Sequence, residues 1–132
     1  MSFVLPEADI LLRVFTRRDP DLLLIHHVTS LTRARALLIA LPVRQVVLAR
    51  TRDSRQFSRL AHALSAFPVP RLLANDYLDA AHRQQRLREQ GVTIVPSVAL
   101  AWTLAERLQS QVWSNGKAWA ALAGQGAPLY QP

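Results

Sequence analysis

The sequence predicts an α/β fold, a sandwich of helices around a parallel sheet, and three observations carry that expectation. Short apolar runs alternate with amphipathic stretches along the chain, Gly, Pro, Asn and Asp punctuate their boundaries, and one run, Leu22 to Val28, is largely apolar. Such a run has the length and character of a strand buried on both faces.

Phe3 to Leu5 predicts a short strand closed by Pro6. Ala8 to Phe15 follows as a helix with Ile10, Leu11 and Val14 on one face. Asp19-Pro20-Asp21 marks a turn, Leu22 to Val28 the second strand, and Thr29 or Ser30 caps a helix reaching about Leu41. From Val43 to Ala66 the apolar positions fit helix, split near Thr51 to Ser54, with arginines as the outer face. Leu72-Leu73 reads as an edge strand after Pro68-Val69-Pro70, and Asn75 caps a helix from Asp76 to Gln90 that stops at Gly91. Val92 to Val95 reads as a strand and Val98 to Leu108 as a central helix, apolar on nearly all sides. Gln111 to Trp113 is the next strand, Gly116 to Ala123 a last short helix, and residues 124–132 a tail or edge strand at Leu129-Tyr130. In such a fold the ligand crevice lies beyond the carboxyl ends of the strands. Pro6-Glu7, Thr29-Ser30, Pro96-Ser97 and Ser114-Asn115 should therefore converge, and Glu7 is the only acid among them.

The 132 residues, 50% hydrophobic and 19% charged, fit one domain spanning 1–132. Charged residues interrupt every apolar run before the length needed to span a bilayer, and no basic segment precedes an apolar one at the N-terminus. The expected location is cytoplasmic, with no membrane partner. Without cysteine there is no disulfide, thiolate metal site or cysteine nucleophile. Fifteen arginines and Lys117 against nine acids give a formal charge of +7, which makes an anionic partner worth testing. Arg33, Arg35, Arg44, Arg50, Arg52, Arg55 and Arg59 share one stretch with a single acid, Asp53. Arg44, Arg50, Arg52, Arg55 and Arg59 are the candidate nucleic-acid-binding residues.

Between Arg88 and Ala105 the chain has a basic residue, Gly91, the run Val92 to Val95, and a helix opening at Pro96-Ser97; Val112 to Leu122 then passes from a strand through Ser114-Asn115-Gly116 into a Trp-containing helix. With Phe3 to Pro6 and Val28 to Thr32, this order resembles the PIN domains, and most closely the VapC-like toxin ribonucleases, over about Phe3 to Leu122. The resemblance implies a three-layer α/β/α sandwich with a central, mostly parallel sheet. In that family carboxylates hold Mg²⁺ or Mn²⁺ against an RNA phosphodiester. Carried over residue by residue, the acids fall on Pro6, Thr32, Ser97 and Gly116, with Ala118 at a further acidic position. None of these is acidic, and only Glu7 and Asp9 stand near as residual carboxylates.

The resemblance thus implies a degenerate, inactive metal-nuclease site with no catalytic or metal-binding residue and no cofactor. Such a chain would act as a protein-interaction and RNA-binding module, partnered by itself as a homodimer, by an antitoxin-like or homologous protein, or by RNA. The alternative is a Mg²⁺- or Mn²⁺-dependent ribonuclease of the toxin-antitoxin type, with a rearranged site using Glu7, Asp9 and Asp76. Other candidates have simpler readings. His26 and His27, on a strand, would point to opposite faces and could not chelate one ion. His62 and His82 stand alone, Asp76 and Asp79 suit a helix N-terminus, and Trp102, Trp113 and Trp119 lie in apolar elements as core or interface residues.

Overall fold

A computed structural model describes residues 2–19 and 21–132 of the chain. Strand β1 (Val4–Pro6) leads into helix α1 (Ala8–Phe15), followed by α2 (Leu22–Arg33), α3 (Leu41–Ala49), α4 (Ser54–Ser65), α5 (Ala74–Glu89) and α6 (Pro96–Arg107). Strand β2 (Gln111–Trp113), α7 (Lys117–Ala120) and a 3₁₀ turn (Ala123–Gln125) complete the order.

β1 and β2 pair in parallel, Val4 opposite Gln111, Leu5 opposite Val112 and Pro6 opposite Trp113. Alternation along this pair divides the interior in two. Val4 and Trp113 face a core built with Ile10, Leu11, Val28, Leu37, Val47 and Leu60. Leu5 and Val112 face a second core with Leu87, Val98, Trp102, Leu104, Trp119 and Leu122. One isolated bridge flanks the pair on each side, Val4 to Leu37 and Val112 to Leu129.

This architecture corrects the expected three-layer α/β/α sandwich. Among the described residues there are seven α-helices and two three-residue strands, so no broad central sheet exists for helices to cover. The decisive difference is Leu22 to Val28, which is helix. Asp21 caps it by accepting from the Leu24 N–H at 3.1 Å, and Leu24, Ile25, Val28 and Leu31 recur at helical spacing toward the core. Leu22 and Leu23 look outward, 74% and 84% exposed, so the run is amphipathic rather than buried on two faces. The helix expected to start at Thr29 or Ser30 is the second half of the same element. Leu72-Leu73 and Val92 to Val95 likewise form no strand. Asp53, accepting from the Gln56 N–H at 2.8 Å, explains the break between α3 and α4.

Three helices end in the same way. After α2, α5 and α6, residues Arg35, Gly91 and Gln109 adopt positive φ values of 55°, 82° and 50°. The amides of Ala36, Val92 and Ser110 then return to the carbonyls of Leu31, Leu87 and Ala105. This is the Schellman arrangement, for which glycine is the unstrained residue; only α5 has one.

Two polar clusters fasten the helices. The buried Arg44 guanidinium donates from Nε to the Ile39 carbonyl at 2.9 Å, from Nη1 to Leu64, and from Nη2 to Phe67 and Pro68 at 3.0 and 3.1 Å. It therefore joins α3 to the C-terminal end of α4 and to the loop beyond. Buried Asp76, in the first turn of α5, accepts from Arg107 Nε at 2.8 Å and Nη2 at 3.0 Å and from the Leu73 N–H at 2.7 Å.

Arg44→Met should cost about 3 kcal/mol in denaturant unfolding, because four carbonyls lose a charged donor in a low-dielectric setting. Asp76→Asn should cost about 3 kcal/mol by leaving a buried pair broken. The Arg107 guanidinium holds the Asp76 carboxyl below its usual range. Its contribution is therefore present above about pH 4 and lost as pH falls through the lowered value. Thermal melts of wild type and D76N should accordingly converge in acid.

Candidate functional site

Where β1 ends and α1, α3 and α6 come together, the structure holds a cavity of about 530 Å³. β1 contributes Leu5 and Pro6, α3 contributes Pro42, Val43, Val46 and Ala49, and α6 contributes Leu100, Ala101 and Leu104. Only three of its lining residues, Glu7, Gln45 and Ser97, bear polar side chains, and none is Arg, Lys or His. Such a volume is typical of a ligand or anchor-residue site, but the lining offers no cationic side chain to an anion.

Glu7 is the one ionisable group at this cavity. Burial pushes its carboxyl above the usual carboxylate range; the Trp119 Nε1–H, donating to Oε2 at 3.1 Å, opposes that, and the nearby Asp9 charge adds to it. Asp9 itself turns to the start of α7. It accepts from Ser114 Oγ at 3.1 Å and from the Asn115 N–H at 2.8 Å, while the Gly116 N–H donates to Ser114 Oγ at 2.9 Å.

Of the positions singled out in the sequence, Pro6, Glu7 and Ser97 therefore meet at the cavity. Asp9 and Gly116 lie together through Ser114, and Thr32 is on α2, its hydroxyl bonded to the Val28 carbonyl at 2.7 Å. Asp76 is committed to Arg107. Arg44 is inside the fold, whereas Arg50, Arg52, Arg55 and Arg59 are exposed. His26 and His27 are on a helix, not a strand; His27 Nε2 lies 2.6 Å from the Tyr130 hydroxyl and its ring packs against Trp113. The apolar walls of the cavity are absent from the sequence reading. Their signal was the uniformly apolar α6: a helix too small to be enclosed all round must leave some of that surface uncovered.

No protein-family model matches the chain, and no curated protein matches it in sequence. Solved structures do resemble it. VapBC2 from Rickettsia felis, crystallised bound to a DNA fragment from its promoter, superposes with a TM-score of 0.73 at 14% identity, over 90% of this chain and 92% of that one. FitAcB from Neisseria gonorrhoeae gives a TM-score of 0.72 at 10% identity over 98% of each chain. A toxin-antitoxin complex from Klebsiella pneumoniae gives 0.64 at 21% identity over 92% and 93%. At these identities the likeness is one of fold.

The assignment to the PIN domains as a VapC-like member is overturned. The expected strand at Val92 to Val95 is not a strand, and the described residues form seven α-helices and two short paired strands in place of a central sheet. The degenerate metal nuclease serving as an interaction and RNA-binding module falls with it, since the fold supplied that reading. So does the alternative ribonuclease: among the described residues no three His, Asp or Glu side chains converge to hold a metal ion, and Asp9 and Asp76 are engaged elsewhere. No helix among the described residues is long and apolar enough to cross a membrane.

A raised carboxyl weakens the fold when ionised. Its favourable contribution is complete below the unfolded value and is lost as pH rises through the folded one. Glu7→Gln should therefore raise the melting temperature at pH 7 and leave it nearly unchanged at pH 4, as checked by calorimetry at the two pH values.

Proposed function

We propose that this chain is the binding half of a two-protein assembly and takes an apolar helical segment of a different protein into the cavity between α3 and α6. The observation that carries this is the lining: Val43, Val46, Leu100 and Ala101 present apolar surface, and no cation is there for a phosphate or other anion. Val46 lines the cavity and is 45% exposed, so its apolar surface opens onto the outside of α3. Exposed apolar surface continuous with a concavity is the pattern of a helix-in-groove interface. A cavity of about 530 Å³ has room for anchor side chains of such a segment. The two-component character of the structural neighbours supports the same reading. The Klebsiella structure is described as a toxin-antitoxin complex, and the Rickettsia one as VapBC2 on a promoter fragment. A second protein is the corresponding partner here.

A photo-crosslinking residue placed at Ala49, with a control at exposed Gln85 on α5, tests this directly in cells of the source. A different protein should be captured at Ala49 and not at Gln85. Mixed as purified components, the two should bind, and Val46→Asp should weaken that binding by about tenfold or more through loss of an apolar contact and burial of a charge. Capture of a second copy of this chain, equal capture at both positions, or indifference to Val46→Asp would overturn the proposal.

A further inference from the structure

The outer face of α4 is chemically the opposite of the cavity. Arg55 and Arg59 stand four residues apart with His62 three further on, so all three fall along one side of the helix. Gln56, Leu60 and Leu64 occupy the buried side. Arg50 and Arg52, in the connection from α3, lead into the same helix, and both are exposed. The only acid of this segment, Asp53, spends its carboxylate on the Gln56 amide as the helix cap. Among the described residues the ion pairs are Arg83–Glu106 and Arg107–Asp76, so Arg50, Arg52, Arg55 and Arg59 have no carboxylate partner.

We propose that this stripe binds the phosphate backbone of duplex DNA. Guanidinium groups present planar, paired donors that match phosphate oxygens and remain charged at all accessible pH values. Four residues of helix rise about 6 Å, and one strand of a duplex carries a phosphate about every 3.4 Å of duplex axis, so successive arginines of the stripe can reach nearby phosphates. A rigid helix face carrying its charges in a line matches the regular outside of a duplex. Single-stranded nucleic acid is the poorer match, because its binding sites set aromatic faces beside the basic track. Trp102, Trp113 and Trp119 are buried in the two cores. Phe57, the exposed aromatic of α4, is two residues from both Arg55 and Arg59 and thus about half a helical turn away from them. Arg44 takes no part, being held inside by backbone carbonyls. The stripe shares no residue with the cavity lining, so this site and the protein-binding site can fail separately.

Fluorescence anisotropy with a short, labelled, mixed-sequence duplex, titrated with the whole chain over a range of salt concentrations, reads the interaction. The variant R50Q/R52Q/R55Q/R59Q should bind at least about tenfold more weakly and lose about three units from the slope of log affinity against log salt. The charge-matched control R17Q/R18Q/R86Q/R88Q, which also removes four exposed arginines, should retain most of the affinity. Thermal melts of both variants establish that each is folded. Equal loss in the control, unchanged binding in the α4 variant, absence of duplex binding by the wild type, or tighter binding to single-stranded RNA or DNA of the same length would each overturn the proposal.

Discussion

The arrangement of the N-terminal helices depends on one buried guanidinium. Among the described residues no carboxylate pairs with Arg44; it is held by carbonyl oxygens at Ile39, Leu64, Phe67 and Pro68. Those carbonyls are Leu64 in the last turn of α4, which also accepts from the Phe67 N–H at 3.1 Å, Phe67 and Pro68 just beyond it, and Ile39 before α3. Burial of the cation pushes its pKa down, yet arginine starts so high that it stays charged. A lysine would offer one compact donor group in place of a planar fork reaching three chain segments. With α3 fixed in this way, Val43 and Val46 on its other side can serve as a wall of the cavity.

How much of this was legible in the sequence depended on whether a local signal was also a tertiary one. α1, with Ile10 and Leu11 both fully buried, follows its periodicity, and β2 follows its short apolar run. The break between α3 and α4 follows from Asp53. Leu22 to Val28 was misread because a run of leucines gives no period of its own, and only Asp21 upstream and the outward position of Leu22 and Leu23 decide for helix. That one element, with Val92 to Val95, converted a helical chain with a narrow parallel strip into an apparent sandwich, and Val92 to Val95 also lies in the stretch that carries the family resemblance. At the candidate site, Pro6, Glu7 and Ser97 could be placed together because they close β1 or open α6. The arginine series could not be divided from sequence: Arg44 and Arg50 differ only in what folds over them.

Polarity is sorted by surface in this molecule. The cavity between α3 and α6 is apolar with a single reluctant carboxyl, and the arginines gather along α4 and the turn leading into it. α3 and α4 are joined by a short connection and share the Arg44 cluster, so the two surfaces are held in a fixed relation. An occupant of one would therefore be presented at a defined angle to an occupant of the other.

The parallel pairing of β1 with β2 sets the order in which the chain can be finished. Val4 meets Leu37 on one edge, but its partner on the other, Gln111, comes only after six helices have intervened. On the ribosome the edge of β1 that faces β2 must wait until residue 113 has emerged, and closing so long a loop carries an entropic cost that the completed pair offsets. Both cores share this wall through Val4 and Leu5 on one strand and Val112 and Trp113 on the other. A nascent chain truncated before β2 would thus lack part of each interior and leave apolar side chains from both open to chaperones and proteases.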